Sequence, residues 1–385
     1  MIPYGRQDIS EQDIDAVLDV LKSDFLTQGP VVPRFESALA EYVGVKYAVA
    51  MNSATSALHI SCLALGLSEG DYLWTSPISF VASANCGLYC GAKVDFIDID
   101  LDTYNLSLES LARKLEQAEG FGVLPKIIVV VHLAGMSCDM SGVHALSKQY
   151  GFSIIEDASH AIGGKYKDEP VGTCRYSDVT VFSFHPVKII TSAEGGVCLS
   201  NNIVLNTRMQ ALRSHGITRD PDEMENPNPE PWHYEQAQLG FNYRMSDIHA
   251  ALGLNQLKRV DEFVVARQLL RKQYDNALSH LPLILPIQVR DVYSACHLYL
   301  VRIDQTKTHF SRRDLFDKLR EKGIGVNVHY IPIYRQPFYK KMGFMIEGFP
   351  NSEEYYSSVI TLPLFPTMSE EDFLYVIESL NSILL

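Results

Sequence analysis

The stretch VTVFSFHPVKIITSAEGG at residues 179–196 decides the interpretation of this chain, because it contains Lys188. The apolar residues 179–182 predict one buried strand, and the glycines at 195–196 introduce another. Burial between two strands disfavours the ammonium form of a lysine, lowers its pKa and yields an amine that attacks carbonyl carbons. This setting is typical of an enzyme that forms a Schiff base. The alternative is a surface lysine whose aliphatic stem covers apolar side chains.

A second segment, GFSIIED at residues 151–157, predicts a buried parallel strand that ends in the carboxylates Glu156 and Asp157. A carboxylate at the carboxyl edge of a parallel strand points into the ligand crevice. There it can keep the pyridine nitrogen of pyridoxal phosphate protonated, which makes the ring an electron sink. Taken alone, a strand-end aspartate is also a common helix cap.

A third segment, MNSATSAL at residues 51–58, follows an apolar strand and predicts a helix with Ser53 as its N-cap. The free N–H groups and positive end of such a helix suit a phosphate, to which Ser183 could donate a further hydroxyl. A helix start rich in Ser and Thr is also an ordinary cap. However, a phosphate loop, a ring-nitrogen acid and a lysine follow one another along the chain, each at a strand end. This order predicts pyridoxal 5'-phosphate as cofactor.

With these segments, the chain resembles the DegT/DnrJ/EryC1/StrS family of pyridoxal-phosphate-dependent sugar aminotransferases. The resemblance extends over nearly the whole length, and its motifs are LTQGP at 26–30, NSAT at 52–55, EDASH at 156–160 and GFNYRMSD at 240–247. It implies the α/β architecture of fold type I, with a large, mostly parallel-sheet domain and a smaller C-terminal α+β domain. We predict the first at residues 1–247 and the second, with a linking helix, at residues 248–385.

The resemblance implies a role for each cofactor residue. Lys188 forms the Schiff base and shuttles a proton, and Asp157 pairs with the pyridine nitrogen. His160 lies near the ring hydroxyl, and Phe80 stacks on the ring, although it could equally be a core aromatic. The phosphate is expected to bind Ser53, Ala54, Thr55 and Ser183, and Asn242 of a neighbouring subunit, which implies a homodimer with shared sites.

The substrate is also inferred from the resemblance. The segments HPVK at 185–188 and HYIPIY at 329–334 most resemble members of the pseudaminic-acid pathway. Those members transfer an amino group, usually from glutamate, to C4 of a UDP-linked 4-keto-6-deoxy-N-acetylhexosamine. The expected sugar contacts are His329, Tyr330, Tyr4 and Gln28, although residues 329–334 could instead form a rigid surface loop.

One position departs from the family pattern. The family has Gly-Glu-Gly-Gly after the lysine, whereas this chain has Ala193 before Glu194. The alanine predicts ordinary backbone angles at that position.

Composition limits the partners. The formal net charge is −13, which argues against nucleic acid as a ligand. An anionic nucleotide sugar therefore needs a local cationic cluster, for which Arg6, Arg312 and Arg313 are candidates. No apolar run reaches the roughly 20 residues that span a bilayer, and the N-terminus lacks the form of a signal peptide, so a cytoplasmic protein is expected. The seven cysteines are scattered, and their spacing favours reduced thiols without a metal.

The rest of the sequence predicts the order of helices, strands and irregular segments. Helix and strand signals alternate to about residue 200, as expected for a parallel sheet covered by helices. Prolines at residues 219–232 exclude a regular element there; this segment is either a disordered surface loop or an active-site loop that reaches a neighbouring subunit. A long helix is predicted from Ser246 through Ala266 and beyond, and a strand at residues 324–328.

Three alternatives remain from sequence. Another 3- or 4-keto nucleotide sugar could be the substrate, since such enzymes share every motif. A sugar 3-dehydratase of the same family is disfavoured because it has His in place of Lys188. A non-catalytic regulatory homologue is expected to lose the lysine or the aspartate, and both are present.

Overall fold

The computed structural model describes residues 1–222, 224–226 and 230–385. Its strands in these residues are β1 (Tyr47–Met51), β2 (Tyr72–Thr75), β3 (Lys93–Phe96), β4 (Ile127–Val131), β5 (Ser153–Asp157), β6 (Lys165–Tyr166), β7 (Glu169–Pro170), β8 (Val179–Ser183), β9 (Gly196–Ser200), β10 (Ile217–Thr218), β11 (Glu235–Gln236), β12 (Leu283–Ile284), β13 (Val292–Tyr293), β14 (Tyr299–Ile303) and β15 (Val359–Leu362).

The α-helices of the same residues are α1 (Glu11–Leu21), α2 (Val31–Val43), α3 (Ala54–Ala64), α4 (Ala82–Tyr89), α5 (Leu108–Phe121), α6 (Met140–Tyr150), α7 (Ile203–Arg213), α8 (Asp247–Leu257), α9 (Val260–Leu278), α10 (Arg312–Glu321), α11 (Pro337–Lys340), α12 (Pro350–Ser358) and α13 (Glu370–Leu384). None of these helices is both long and apolar enough to cross a bilayer, as far as the described residues go.

A seven-stranded sheet forms the larger part of the molecule, with the order β1-β9-β8-β5-β4-β2-β3. Strands β3, β2, β4, β5 and β8 are parallel, whereas β9 runs antiparallel to both of its neighbours. The carboxyl ends of β1, β5 and β8 therefore meet at one edge, where β9 begins. Both faces carry helices over apolar cores, because the central strands are buried throughout. The α/β fold class is confirmed.

A smaller antiparallel sheet, β12-β14-β15, packs with α9, α10 and α13 around a separate apolar core. The first residues of the chain join this part, since Ile2 forms a bridge with Ile324 and the Tyr4 carbonyl accepts from the Leu364 N–H at 3.0 Å. Helices α1 and α2 instead pack on α8, to which the buried Asp13 of α1 is bound through Asn255 and Gln256. The domain boundary at residue 247 stays a prediction.

The single long helix expected from Ser246 was wrong. Ser246 does cap α8, but α8 ends at Leu257 and α9 starts at Val260. The N–H groups of Lys258 and Arg259 bond to carbonyls three residues earlier, which closes the helix, and the Arg259 side chain contacts Asp8.

The strand expected at 324–328 is reduced to isolated bridges at Ile324 and Asn327. Of the irregular segment 219–232, residues 223 and 227–229 lie outside the described residues; the others form no helix or strand.

Candidate active site

A cavity of about 620 Å³ lies at the carboxyl edge of the large sheet. Its walls come from the ends of β1, β5 and β8, the start of α3, and residues 297 and 329–330 near the smaller sheet. Of the residues predicted from sequence, the following line it: Tyr4, Ser53, Ala54, Thr55, Phe80, Asp157, His160, Ser183, Lys188, His329 and Tyr330. Segments far apart in sequence thus meet where the parallel strands end, as the strand-end argument expects.

Lys188 lies in the connection between β8 and β9, whose two ends are fixed by antiparallel pairing of Ser183 with Gly196. Burial lowers the pKa of Lys188 to about 8, and the carboxylate of Asp157 opposes this shift only in part. The uncharged amine, which is the form that attacks a carbonyl, is therefore more abundant at neutral pH than in a lysine with an ordinary pKa.

The two carboxylates that end β5 point to opposite faces, as successive strand residues do. Asp157 faces the cavity, where its Oδ2 accepts from the Ser83 hydroxyl at 2.6 Å and its Oδ1 from the Ser159 N–H at 3.2 Å. Glu156 lies on the other side, where its Oε2 is 2.7 Å from His132 Nε2. Only Asp157 can therefore contact a ring nitrogen in the cavity.

The start of α3 forms a second wall. The Ser53 hydroxyl accepts from the Ser56 N–H at 3.1 Å, which confirms the N-cap. The N–H groups of Ala54 and Thr55, at the first turn, have no carbonyl one turn earlier to bind. Gly196 at the start of β9 passes so close that a Cβ there would lie 2.5 Å from the Ala54 nitrogen. The positive helix end and the Ser183 hydroxyl fit the phosphate of pyridoxal phosphate.

Histidines form another wall of the cavity. Burial lowers the pKa of His329 to about 3, and burial followed by the charge of Lys188 holds the pKa of His160 well below its usual range. A further histidine, His297, is buried with its ring centroid 4.4 Å from that of His160, and burial lowers its pKa strongly as well. All three rings are therefore neutral beside the lysine.

Two predicted residues are not brought into the cavity of their own chain. Gln28 is exposed beside the Gly29 N–H that donates to Asp247, and Asn242 is exposed with its backbone bridged to Ser214. The cationic candidates Arg6, Arg312 and Arg313 do not line the cavity either. Arg312 donates to the Tyr356 carbonyl, and Arg313 pairs with Asp317 on the exposed face of α10.

Sequence reasoning missed Ser83 and His297. Ser83 lies one turn after Phe80, and its distance from Asp157 in sequence hides their hydrogen bond. The signal for His297 was present, since a histidine begins an apolar strand-like run at 297–303, but nothing local showed that it meets His160.

The expectation of ordinary backbone angles at Ala193 was wrong. Its φ is +66°, in the left-handed region that favours glycine. Hydrogen bonds hold the turn in this shape: the Thr191 hydroxyl accepts from the Ala193 N–H at 2.9 Å, and the Ser192 hydroxyl donates to the Glu194 carbonyl at 2.8 Å.

A strand-linked lysine, a strand-end aspartate and a free helix N-terminus around one cavity, on this sheet, define a pyridoxal-phosphate-dependent enzyme of fold type I. The chain matches the DegT/DnrJ/EryC1/StrS aminotransferase family over residues 7–381, and it belongs to that family. It is an aminotransferase that uses pyridoxal phosphate.

Individual relatives are similar to this chain along its whole length. The sequence is 40% identical over 386 residues, with 100% of this chain and 98% of the relative covered, to the UDP-4-amino-4,6-dideoxy-N-acetyl-beta-L-altrosamine transaminase of Campylobacter jejuni. The structure is similar to Helicobacter pylori PseC, an aminotransferase involved in the biosynthesis of pseudoaminic acid (TM-score 0.90, 32% identity, 100% and 99% of the chains covered). It is also similar to the PLP form of Spr1654 from Streptococcus pneumoniae (TM-score 0.88, 29% identity, 99% and 98% covered).

Proposed function

We propose that this protein transfers an amino group from glutamate to C4 of a UDP-linked 4-keto-6-deoxy-N-acetylhexosamine. The observation that carries the proposal is the 40% identity, over the whole chain, to a transaminase named for a UDP-linked 4-amino-4,6-dideoxy-N-acetyl sugar. The product would serve the biosynthesis of a nonulosonic acid of the pseudaminic type, for surface glycans. The similarity to PseC supports the same assignment.

The residues of the cavity have separate tasks in this proposal. When bound, pyridoxal phosphate would supply an aldehyde carbon that accepts the amino group from the donor. Its ring would delocalise negative charge. Ser53, Ala54, Thr55 and Ser183 would hold the phosphate, and Phe80, exposed at the rim, would cover one face of the ring.

Proton movement is assigned to two groups. Asp157, oriented by Ser83, would keep the ring nitrogen protonated. His160 would lie near the ring hydroxyl. Lys188 would remove the proton from the α-carbon of glutamate and later deliver one to C4 of the sugar. Its lowered pKa suits both steps, because both of its forms are populated near neutral pH. His329, Tyr330 and Tyr4 would contact the sugar.

We further propose a cytoplasmic homodimer. Among the described residues that line the cavity, Lys188 is the only lysine or arginine, although glutamate and a diphosphate both bring negative charge. The missing cations would come from a second subunit, together with Asn242, which is exposed and outside its own cavity. Gln28, exposed near the N-terminus, would contact the same shared region. All seven cysteines are free thiols, which supports a reducing compartment.

The test is a direct assay. The purified, cofactor-loaded protein is incubated with glutamate and the candidate 4-keto UDP-sugar, and the product is identified by mass spectrometry and NMR. We expect amination at C4, complete loss of turnover in Lys188→Ala, and no loss in the control Lys165→Ala, which removes an exposed lysine. Amination at C3, or preference for a dTDP-sugar without the N-acetyl group, would contradict the substrate assignment and leave the aminotransferase class intact.

A further inference from the structure

A chain of hydrogen bonds crosses the histidine wall from the backbone to the cavity. The Ala134 N–H donates to His160 Nδ1 at 3.3 Å, and His160 Nε2 lies 3.2 Å from the Tyr330 hydroxyl oxygen. The carbonyl of the same Ala134 accepts from the His297 N–H at 2.9 Å. One backbone residue therefore fixes the position of both neighbouring histidines.

This geometry determines which nitrogen of His160 carries the proton. Burial, with the positive charge of Lys188 next in size, lowers the pKa of His160 well below its usual range, so the ring is neutral and has a single N–H. Because Nδ1 accepts from Ala134, the proton lies on Nε2. The Nε2–H group then donates to the oxygen of Tyr330.

The direction of this bond leaves Tyr330 with one role. Its oxygen is already an acceptor, and burial raises its pKa, so the hydroxyl keeps its proton. In the described part of the chain Tyr330 makes no other side-chain hydrogen bond. Since Tyr330 lines the cavity, its O–H group is free to donate to a ligand there.

We infer that His160 is a positioning residue that makes Tyr330 a fixed hydrogen-bond donor to an oxygen of the sugar substrate. The inference rests on the proposed function and adds a rule of selectivity to it. A hydroxyl or N-acetyl oxygen of the sugar, which amination at C4 leaves in place, fits this donor, whereas an ammonium or a deoxy carbon at the same place leaves it unpaired. Tyr330 lies beside Phe80 at the rim, with the ring centroids 6.5 Å apart, rather than beside the phosphate-binding start of α3.

Binding of the aminated UDP-sugar to the pyridoxamine-phosphate form of the enzyme tests this, because two amines form no covalent bond. The variants are Tyr330→Phe, His160→Leu, their combination, and His160→Gln, whose amide can both accept from Ala134 and donate to Tyr330. By calorimetry we expect about 5- to 10-fold weaker binding for each of the first two variants, as for one lost hydrogen bond. The double variant should be no weaker than either single variant, and His160→Gln should bind like the wild type.

Several outcomes would overturn the inference: wild-type affinity in Tyr330→Phe, additive losses in the double variant, a Gln variant as weak as the Leu variant, or loss of cofactor affinity in place of sugar affinity. A wild-type enzyme that does not bind the UDP-sugar refutes the proposed function instead. In that case, or if the Tyr330 variants fail to fold, nitrogen-15 NMR of labelled histidines decides. We expect the His160 signal, assigned by its absence in a His160 variant, to show the neutral Nε2–H form; an Nδ1–H or doubly protonated ring refutes the inference.

Discussion

Two effects act on the pKa of Lys188: burial lowers it and the carboxylate of Asp157 raises it, and burial is the larger effect. The reactive form is the free amine, so a lower pKa shifts reactivity to lower pH. In the cofactor-free protein, we expect acetylation of Lys188 by acetic anhydride to rise with pH around a midpoint of about 8. The same peptide in urea-denatured protein should show a midpoint near about 10.4. Mass spectrometry of the Lys188 peptide measures both curves, and coincident curves would contradict the assigned burial effect.

The left-handed backbone of Ala193 leads to a prediction about the free energy of unfolding. Its left-handed backbone costs an alanine about 1–2 kcal/mol, part of which is offset because alanine also restricts the unfolded chain. We therefore expect Ala193→Gly to raise the free energy of unfolding by about 0.5–1 kcal/mol in urea denaturation. The control Ala112→Gly, within helix α5, should lower it by about 1 kcal/mol. If Ala193→Gly is as destabilising as the control, the backbone strain assigned to Ala193 is wrong.

At the scale of elements, α4 is linked to β5 by the hydroxyl of Ser83, which holds the Asp157 carboxylate at 2.6 Å. Removing a hydrogen bond to a charged group costs about 1.5–3 kcal/mol. We expect Ser83→Ala to weaken the affinity for pyridoxal phosphate by about tenfold or more, measured by spectroscopic titration. Ser61→Ala is the matched control, since Ser61 is also buried, but its hydroxyl donates to the Ala57 carbonyl and contacts the Cys198 sulfur, and neither Ser61 nor Cys198 lines the cavity. Equal losses in both variants would assign the effect to general stability.

Local sequence patterns predicted the elements whose signals are local. Strand β5 is marked by Ile154 and Ile155 before its two carboxylates, and Ser53 marks the start of α3 because a cap is a feature of one helix turn. The end of α8 could not be predicted in this way, because the Arg259 side chain is bound to Asp8, far away in sequence. Ala193 was missed for a similar reason, since its left-handed angle is maintained by hydrogen bonds of the turn and not by the residue itself.

The residues of the site divide in the same way, into those with a local sequence signal and those without one. Lys188 and Asp157 were predictable because Asp157 ends a strand and Lys188 follows one, and the carboxyl ends of both strands lie at the same edge of the sheet. Ser83 and His297 were not, because a hydrogen bond across 74 residues and a ring contact across 137 depend on how the elements pack.

At the scale of the whole molecule, the proposed sharing of sites predicts complementation between inactive chains. Lys188→Ala lacks the lysine and Asn242→Ala lacks the proposed phosphate contact, but a mixed dimer would contain one site with both residues. After random subunit exchange of equal amounts, half of the dimers are mixed and each has one intact site, so about a quarter of wild-type turnover is expected. Turnover with the proposed substrate measures it. Full activity of Asn242→Ala alone, or no recovery despite exchange shown by mass spectrometry, would contradict shared sites.

The close approach of Gly196 to the start of α3 has a consequence for how this gene can change. A side chain at position 196 would displace Ala54, more than 140 positions earlier, and with it the N–H groups that face the cavity. Position 196 therefore cannot accept a side chain while the start of the helix keeps its place. A new residue at 196 would fit only after the start of α3 had moved away, and that movement would displace the N–H groups of the proposed phosphate site. A glycine at position 196 should thus be retained even if the sugar that the enzyme accepts changes.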